Sequence, residues 1–154
     1  MHFRPIVTNT GELEFNLSFV DPIAEFEKVR DQIKISAKSV SAAIAGLDKI
    51  LEWTEIAEEN AVTRRLEKRA TCLSEPICPS VATGVYSSEL LFQTYENGST
   101  SGKFQINKGN YSFGYNVSVE SAILLSAYLT YMDEIGRKDF DVRSMSDDQV
   151  LDLF

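Results

Sequence analysis

The sequence predicts an α+β fold: an antiparallel sheet of about five strands packed on an apolar C-terminal helix, with a long helix or helical hairpin inserted after the first strands. Three patterns carry this expectation. Leu13, Phe15, Leu17 and Phe19 alternate with Glu14, Asn16 and Ser18, the period-two pattern of a half-buried strand. Phe26, Val29, Ile33, Ala37, Val40, Ile44, Leu47 and Leu51 recur at gaps of three or four, which is the helical period. Residues 85–119 then hold strand-like runs separated by turn residues, directly ahead of an apolar run over 122–135. A sheet with one apolar face and a helix with little polar surface satisfy each other as two packed layers.

Taken in order, residues 3–7 read as extended, and Thr8, Asn9, Thr10 and Gly11 supply turn chemistry before the alternating strand. A terminal hairpin follows. Asp21 and Pro22 read as a helix cap and first helical residue, since proline has no amide hydrogen to lose there. The apolar seam 26–51 would extend roughly 38 Å as a helix. Gly46 marks a bend or break costing about 1 kcal/mol relative to alanine. The seam suits core packing, a helical hairpin or a coiled-coil homodimer. Residues 55–69 continue as a mostly polar helix anchored by Ile56 and Leu66, and 71–84, with Pro76, Pro79 and Gly84, read as a loop.

In the β region, 90–95 and 103–107 are strands joined at Asn97 and Gly98, and Gly109 and Asn110 make the next turn. Tyr111, Phe113, Tyr115, Val117 and Val119 then alternate with small or polar residues. Ser118 is placed to cap the last helix, in which Ile123, Leu124, Leu125, Tyr128, Leu129 and Met132 are expected to be buried and Gly136 to end the helix. The domain expected is thus 1–136, with a helical part at 22–70 and a strand-rich part at 85–136, followed by a flexible acidic tail over 137–154.

At 154 residues the chain suits one domain with a sizeable core. No apolar run approaches the roughly 20 residues of a membrane helix, and Met1, His2, Phe3, Arg4 and Pro5 do not form a signal-peptide core; cytoplasmic residence is expected. The net charge of −8 disfavours broad binding to phosphate backbones. Half of that charge lies from Asp139 onward, where five aspartates face one base, Arg143. Cys72 and Cys78 have no clustered ligands beside them, and His2 is the only histidine, so two ordinary thiols are expected, or a disulfide under oxidising conditions, and no metal or cofactor. No nucleophile elbow, phosphate loop or metal signature is present, and a non-catalytic role is expected.

Two places could carry binding in the body. Arg64, Arg65, Lys68 and Arg69, at four-residue spacing on the expected helix end, form the most basic stretch and, with Lys103 and Lys108, are the candidate nucleic-acid contacts. A solvated helix end favoured by the dipole explains the same cluster. Tyr111, Phe113 and Tyr115 line one strand face, suited to stacking on unpaired bases or to covering by the last helix. The opposite face, with Ser112, Gly114, Asn116, Lys103, Gln105 and Asn107, is polar and lightly cationic.

The last stretch ends in Gln149, Val150, Leu151, Asp152, Leu153 and Phe154: large apolar side chains on an acidic tether, the composition of a peptide that orders on a partner. A clip packed back on the body is the structural reading of the same residues. Leu151 to Phe154 resemble the last four positions of the bacterial sliding-clamp-binding motif, with Val150 where the motif has Gln and Gln149 one place earlier. The acidic tail also resembles those of bacterial and phage single-stranded DNA-binding proteins. These resemblances imply that Gln149, Leu151, Asp152, Leu153 and Phe154 contact a sliding clamp or another replication protein. Over 85–135 the hairpins leading into a helix look like Whirly and transcriptional-coactivator single-strand binders. The function expected is a DNA replication or repair accessory protein of bacterial or phage type, binding single-stranded DNA and recruiting through its tail, with homo-oligomerisation on the long helix. The rival is a phage-type acidic inhibitor that imitates DNA to occupy a host protein.

Overall fold

Alternation at the start of the chain does build a hairpin. In the computed structural model, which describes residues 2–7, 13–20, 29–73 and 87–144, β1 (His2–Val7) pairs antiparallel with β2 (Leu13–Val20). Phe15, Leu17 and Phe19 point into the core. The next element departs from expectation: β3 (Val29–Ile35) is a strand that pairs antiparallel with β2, inside the stretch expected to be helical. Val29 and Ile33 are four apart, an even gap that keeps one face in a strand as well as in a helix. What distinguishes them is the residues between, since Asp31, Ile33 and Ile35 are buried while Gln32 and Lys34 are exposed.

After a short 3-10 turn (Ala37–Ser39), α1 (Val40–Glu59) buries Val40, Ala43, Gly46, Leu47, Ile50, Thr54 and Ala57 on one face. Gly46 does not break it. A Cβ there would lie 2.3 Å from Thr71 Cγ2, so the missing side chain is what lets the helix approach the sheet. The helix stops earlier than its polar continuation suggests. The amide of Ala61 donates to Glu58 O and that of Val62 to Ala57 O, closing a Schellman turn with Ala61 left-handed at φ 48°. An L-residue is strained there, so Ala61→Gly is expected to raise stability by about 1 kcal/mol, read as a higher midpoint in urea with unchanged slope.

Residues 66–72, expected to be helix running into loop, form the strand β4 (Leu66–Cys72). It opens a four-stranded antiparallel sheet in the order β4-β5-β6-β7, with β5 (Ser87–Thr94), β6 (Thr100–Lys108) and β7 (Tyr111–Val117). Gly98 (φ 81°) and Gly109 (φ 59°) make the two turns where the sequence places them. The described strands therefore form two antiparallel sheets, β1-β2-β3 and β4-β5-β6-β7, and the fold is α+β.

Helix α2 (Val119–Ser144) follows, and Ser118 Oγ accepts the amide of Ser121 as expected of a cap. Gly136 does not end it; the helix runs through to Ser144, into residues expected to be tail. It is also one-sided. Ala122, Leu125, Ser126 and Leu129 are buried, whereas Leu124 is 71% exposed, Tyr131 62%, Ile123 50% and Tyr128 40%. Ser126 Oγ donates to Asp48 Oδ1 at 2.9 Å and ties the two helices together. No helix among the described residues is long and apolar enough to cross a membrane.

One core unites the layers: Phe15, Leu17, Phe19, Ile33 and Ile35 meet Leu47 and Ile50 of α1, Leu90, Phe104 and Ile106 of the second sheet, and Leu125 and Leu129 of α2. The sheets are joined where Phe19 stacks on Tyr115, centroids 4.0 Å apart. Beside that stack, Asp31 accepts from Tyr115 Oη at 2.6 Å and from Lys108 Nζ. Cys72 is disulfide-bonded, the alternative to the two ordinary thiols expected first; Cys78, the only other cysteine in the sequence, lies outside the described residues.

Candidate functional site

On the second sheet, alternation sends Leu90, Phe92, Phe104 and Ile106 to the helices and leaves the outer face to Glu67, Arg69, Glu89, Gln93, Ser101, Lys103, Gln105, Asn107, Ser112 and Asn116. These polar side chains bind one another. Arg69 Nε donates to Glu89 Oε2 at 2.5 Å, and Gln105 Nε2 to Glu89 Oε1 at 3.2 Å. Lys103 Nζ and Gln93 Nε2 both donate to Glu67 Oε2, at 2.9 and 2.6 Å.

Lys103 also reports the shape of the sheet. It stands on β6, yet its ammonium reaches β4, passing over β5. A Cβ at Gly114 of β7 would lie 2.7 Å from its Cε, so glycine leaves room for the lysine stem. Glu67 and Gly114 sit on opposite edge strands, and the Lys103 side chain runs between them across this face. At its hairpin end an open cavity of about 530 Å³ is lined by Arg65, Tyr95, Glu96, Asn97, Ser99 and Asn116.

The six cations proposed for nucleic acid do not form one patch. Arg69 and Lys103 lie on the outer face, paired to Glu89 and Glu67. Lys68 is on the helix side, its Nζ 4.1 Å from the centroid of Trp53, and Lys108 is spent on Asp31. Arg64 and Arg65 are exposed and make no ion pair among the described residues. Burial pushes the Glu67 carboxyl up, but hydrogen bonding and charge from Lys103, with help from Gln93 and Arg65, outweigh it and hold the group below the ordinary glutamate range. It is ionised at neutral pH and engaged with its own cation. The aromatic row divides: Tyr115 packs on Phe19, while Tyr111 and Phe113 are 72% and 44% exposed on an edge strand.

Helix α1 presents the opposite sign. Asp48, Glu52, Glu55 and Glu59, spaced four, three and four residues apart, run along its exposed side, and none has an ion-pair partner among the described residues. That spacing was open to view in the sequence. The pairing of Arg69, Lys103 and Lys108 was not, because their acids come from other strands. Among the described residues no group of three or more His, Cys, Asp or Glu side chains forms a metal site. Gln149, Leu151, Asp152, Leu153 and Phe154 lie outside the described residues. In comparisons with protein-family models, curated proteins and solved structures, the chain matches none.

Proposed function

We propose that the chain is a non-catalytic binding protein that lays the acidic side of α1 on a basic surface of a nucleic-acid-binding partner, as a phage-type inhibitor would. The row Asp48, Glu52, Glu55 and Glu59 carries this reading. It places four carboxylates without an ion-pair partner among the described residues over about 16 Å of one helix, while Arg69, Lys103 and Lys108 are paired inside the fold. A charged row on a rigid helix steers a basic partner and sets the salt dependence of the encounter. With a polylysine peptide as probe, the wild-type chain is expected to bind in a salt-sensitive manner. Glu52→Gln with Glu55→Gln and Glu59→Gln should weaken that binding at least tenfold at an unchanged melting temperature. Equal binding by both chains overturns the proposal.

Single-strand binding with recruitment to a sliding clamp is the second reading, favoured by the cavity that sets the Arg65 guanidinium beside Tyr95, Asn97 and Asn116. It requires salt-sensitive retention of a labelled single-stranded oligonucleotide, lost in Arg64→Ala with Arg65→Ala, and binding of a purified clamp by a peptide of 149–154. The compartment follows the redox state. A disulfide at Cys72 persists in oxidising surroundings and is rare in the cytosol, whereas cytoplasmic action leaves thiols that an alkylating reagent labels.

A further inference from the structure

The edge of a sheet can take on a further strand, and folded chains guard it with charge, proline or irregular register. Among the described strands, three of the four sheet edges are guarded in this way. β1 holds Arg4 and Pro5. β3 carries Asp31 and Lys34, with a register shift against Phe19 and Val20. β4 carries Glu67, Lys68 and Arg69, with a shift between Arg69 and Thr71. β7 has none of these devices: it contains no charged residue and no proline, and it runs along β6 in unbroken register. The two-residue loop at Gly109 and Asn110 makes Lys108 and Tyr111 a hydrogen-bonded pair, and such pairs alternate with non-hydrogen-bonded ones along an antiparallel ladder. Tyr111, Phe113, Tyr115 and Val117 therefore direct their main-chain groups to β6. Ser112, Gly114 and Asn116 direct theirs away from it, and all three are exposed.

We propose that β7 is a homodimerisation edge: two copies of the chain pair antiparallel through Ser112, Gly114 and Asn116, centred on Gly114, and join their four-stranded sheets into one continuous sheet. The outward positions are evenly spaced about Gly114, so the edge is complementary to itself under a twofold axis. With Gly114 opposite Gly114 of the second copy, Ser112 falls opposite Asn116, and the outward amides and carbonyls form about six hydrogen bonds. Glycine at the centre sets no side chain between the two backbones. Between these pairs Phe113, 44% exposed in the single chain, falls opposite Tyr115 of the second copy in a non-hydrogen-bonded pair, where side chains approach most closely. Charge favours a second copy over another protein's strand. The chain carries −8, and like charges set opposite each other are destabilising, so two copies meet best along the edge where neither brings a charge. This contact lies apart from the acidic side of α1 and does not rest on that reading.

One pair of strands is a small interface beside the roughly 1,600 Å² of a standard one, so the dimer is expected to be half-formed at about 100 µM. Sedimentation of the full chain between about 10 µM and about 1 mM follows it. Over that range amide hydrogen exchange at Ser112, Gly114 and Asn116 should slow at least about threefold, while exchange at Phe113, already bonded to β6, changes less. Ser112→Lys with Asn116→Lys sets cation opposite cation on both sides of the axis, and Ser112→Glu with Asn116→Glu sets acid opposite acid. Each variant alone is expected to associate at least about fivefold more weakly than the wild type, and an equimolar mixture of the two to regain a dimer. Melting curves check that both variants fold, and amide exchange in the wild type decides alone where a variant does not. A wild type that stays monomeric at about 1 mM leaves the edge to a strand of another protein and overturns the proposal. So does a dimer that both variants form as readily as the wild type, or one that leaves the three outward amides unprotected. None of the variants touches Glu52, Glu55 or Glu59, so this proposal and the acidic-surface reading stand or fall separately.

Discussion

Leu129→Asp is expected to leave the chain without a cooperative melting transition at 25 °C, while Leu124→Asp, five positions earlier, should melt within a few degrees of the wild type. Leu129 is fully buried in the common core, against the layer that also holds Leu125 and the residues of α1. A carboxylate placed there finds no cation. It either remains charged at a cost of several kcal/mol or takes up a proton and still loses the leucine's packing, about 2–5 kcal/mol by itself. Total stabilities of about 5–15 kcal/mol leave little after that loss. Leu124 is 71% exposed, so its replacement changes hydration and little else. Paired melting curves by circular dichroism check both statements, and equal loss in the two variants would show that α2 is inserted differently. Sequence alone makes Leu124 the natural core residue, because Ile123, Leu124 and Leu125 are consecutive and hydrophobicity cannot tell which of three neighbours faces inward.

The second large effect is expected at the joint between the sheets. Asp31→Asn should lower stability by about 2 kcal/mol at pH 7. Removing one partner from a buried ion pair costs about 3–5 kcal/mol, and the Lys108 side chain, 46% exposed, recovers part of that from water. In a chain of this size the shift in Tm is about 4–8 °C. Burial pushes the Asp31 carboxyl up, but hydrogen bonds from Lys108 and Tyr115 and the charge of Lys108 more than offset it, leaving the group below the ordinary 3.8. A depressed carboxyl pKa stabilises the fold above the unfolded-state value and loses that contribution as pH falls through the folded one. The gap between wild type and Asp31→Asn should therefore be constant near neutrality and close below about pH 3.8. A gap independent of pH down to 2 would show that the asparagine disturbs packing and not charge.

What could be read from sequence followed how local each determinant is. Gly98 and Gly109 announce their turns because a left-handed residue is needed at that one position, and the strands on either side inherit their register from it. The strand β3 was hidden because Val29 and Ile33 satisfy two periods at once, and β4 because cations at four-residue spacing imitate a helix face. Lys68 and Arg69 in fact point to opposite sides of a sheet. The outer face was legible as polar but not as self-paired: Lys103 and Glu67 are 36 residues apart, and Lys108 and Asp31 are 77 apart. The acidic side of α1 needed only the helical period.

Within both sheets each strand hydrogen-bonds to its neighbour along the chain, so the sheets can assemble with modest loop-closure entropy. Asp31 differs, since it meets Lys108 and Tyr115 across 77 and 84 residues, and that meeting needs both sheets in place. The joint is thus expected to form late on the folding pathway, with a φ-value near zero. Loosening it should accelerate unfolding by about thirtyfold for 2 kcal/mol and leave the refolding rate nearly unchanged. The grip between Asp31, Lys108 and Tyr115 sets how long the native state lasts, and the hairpins set how quickly it forms.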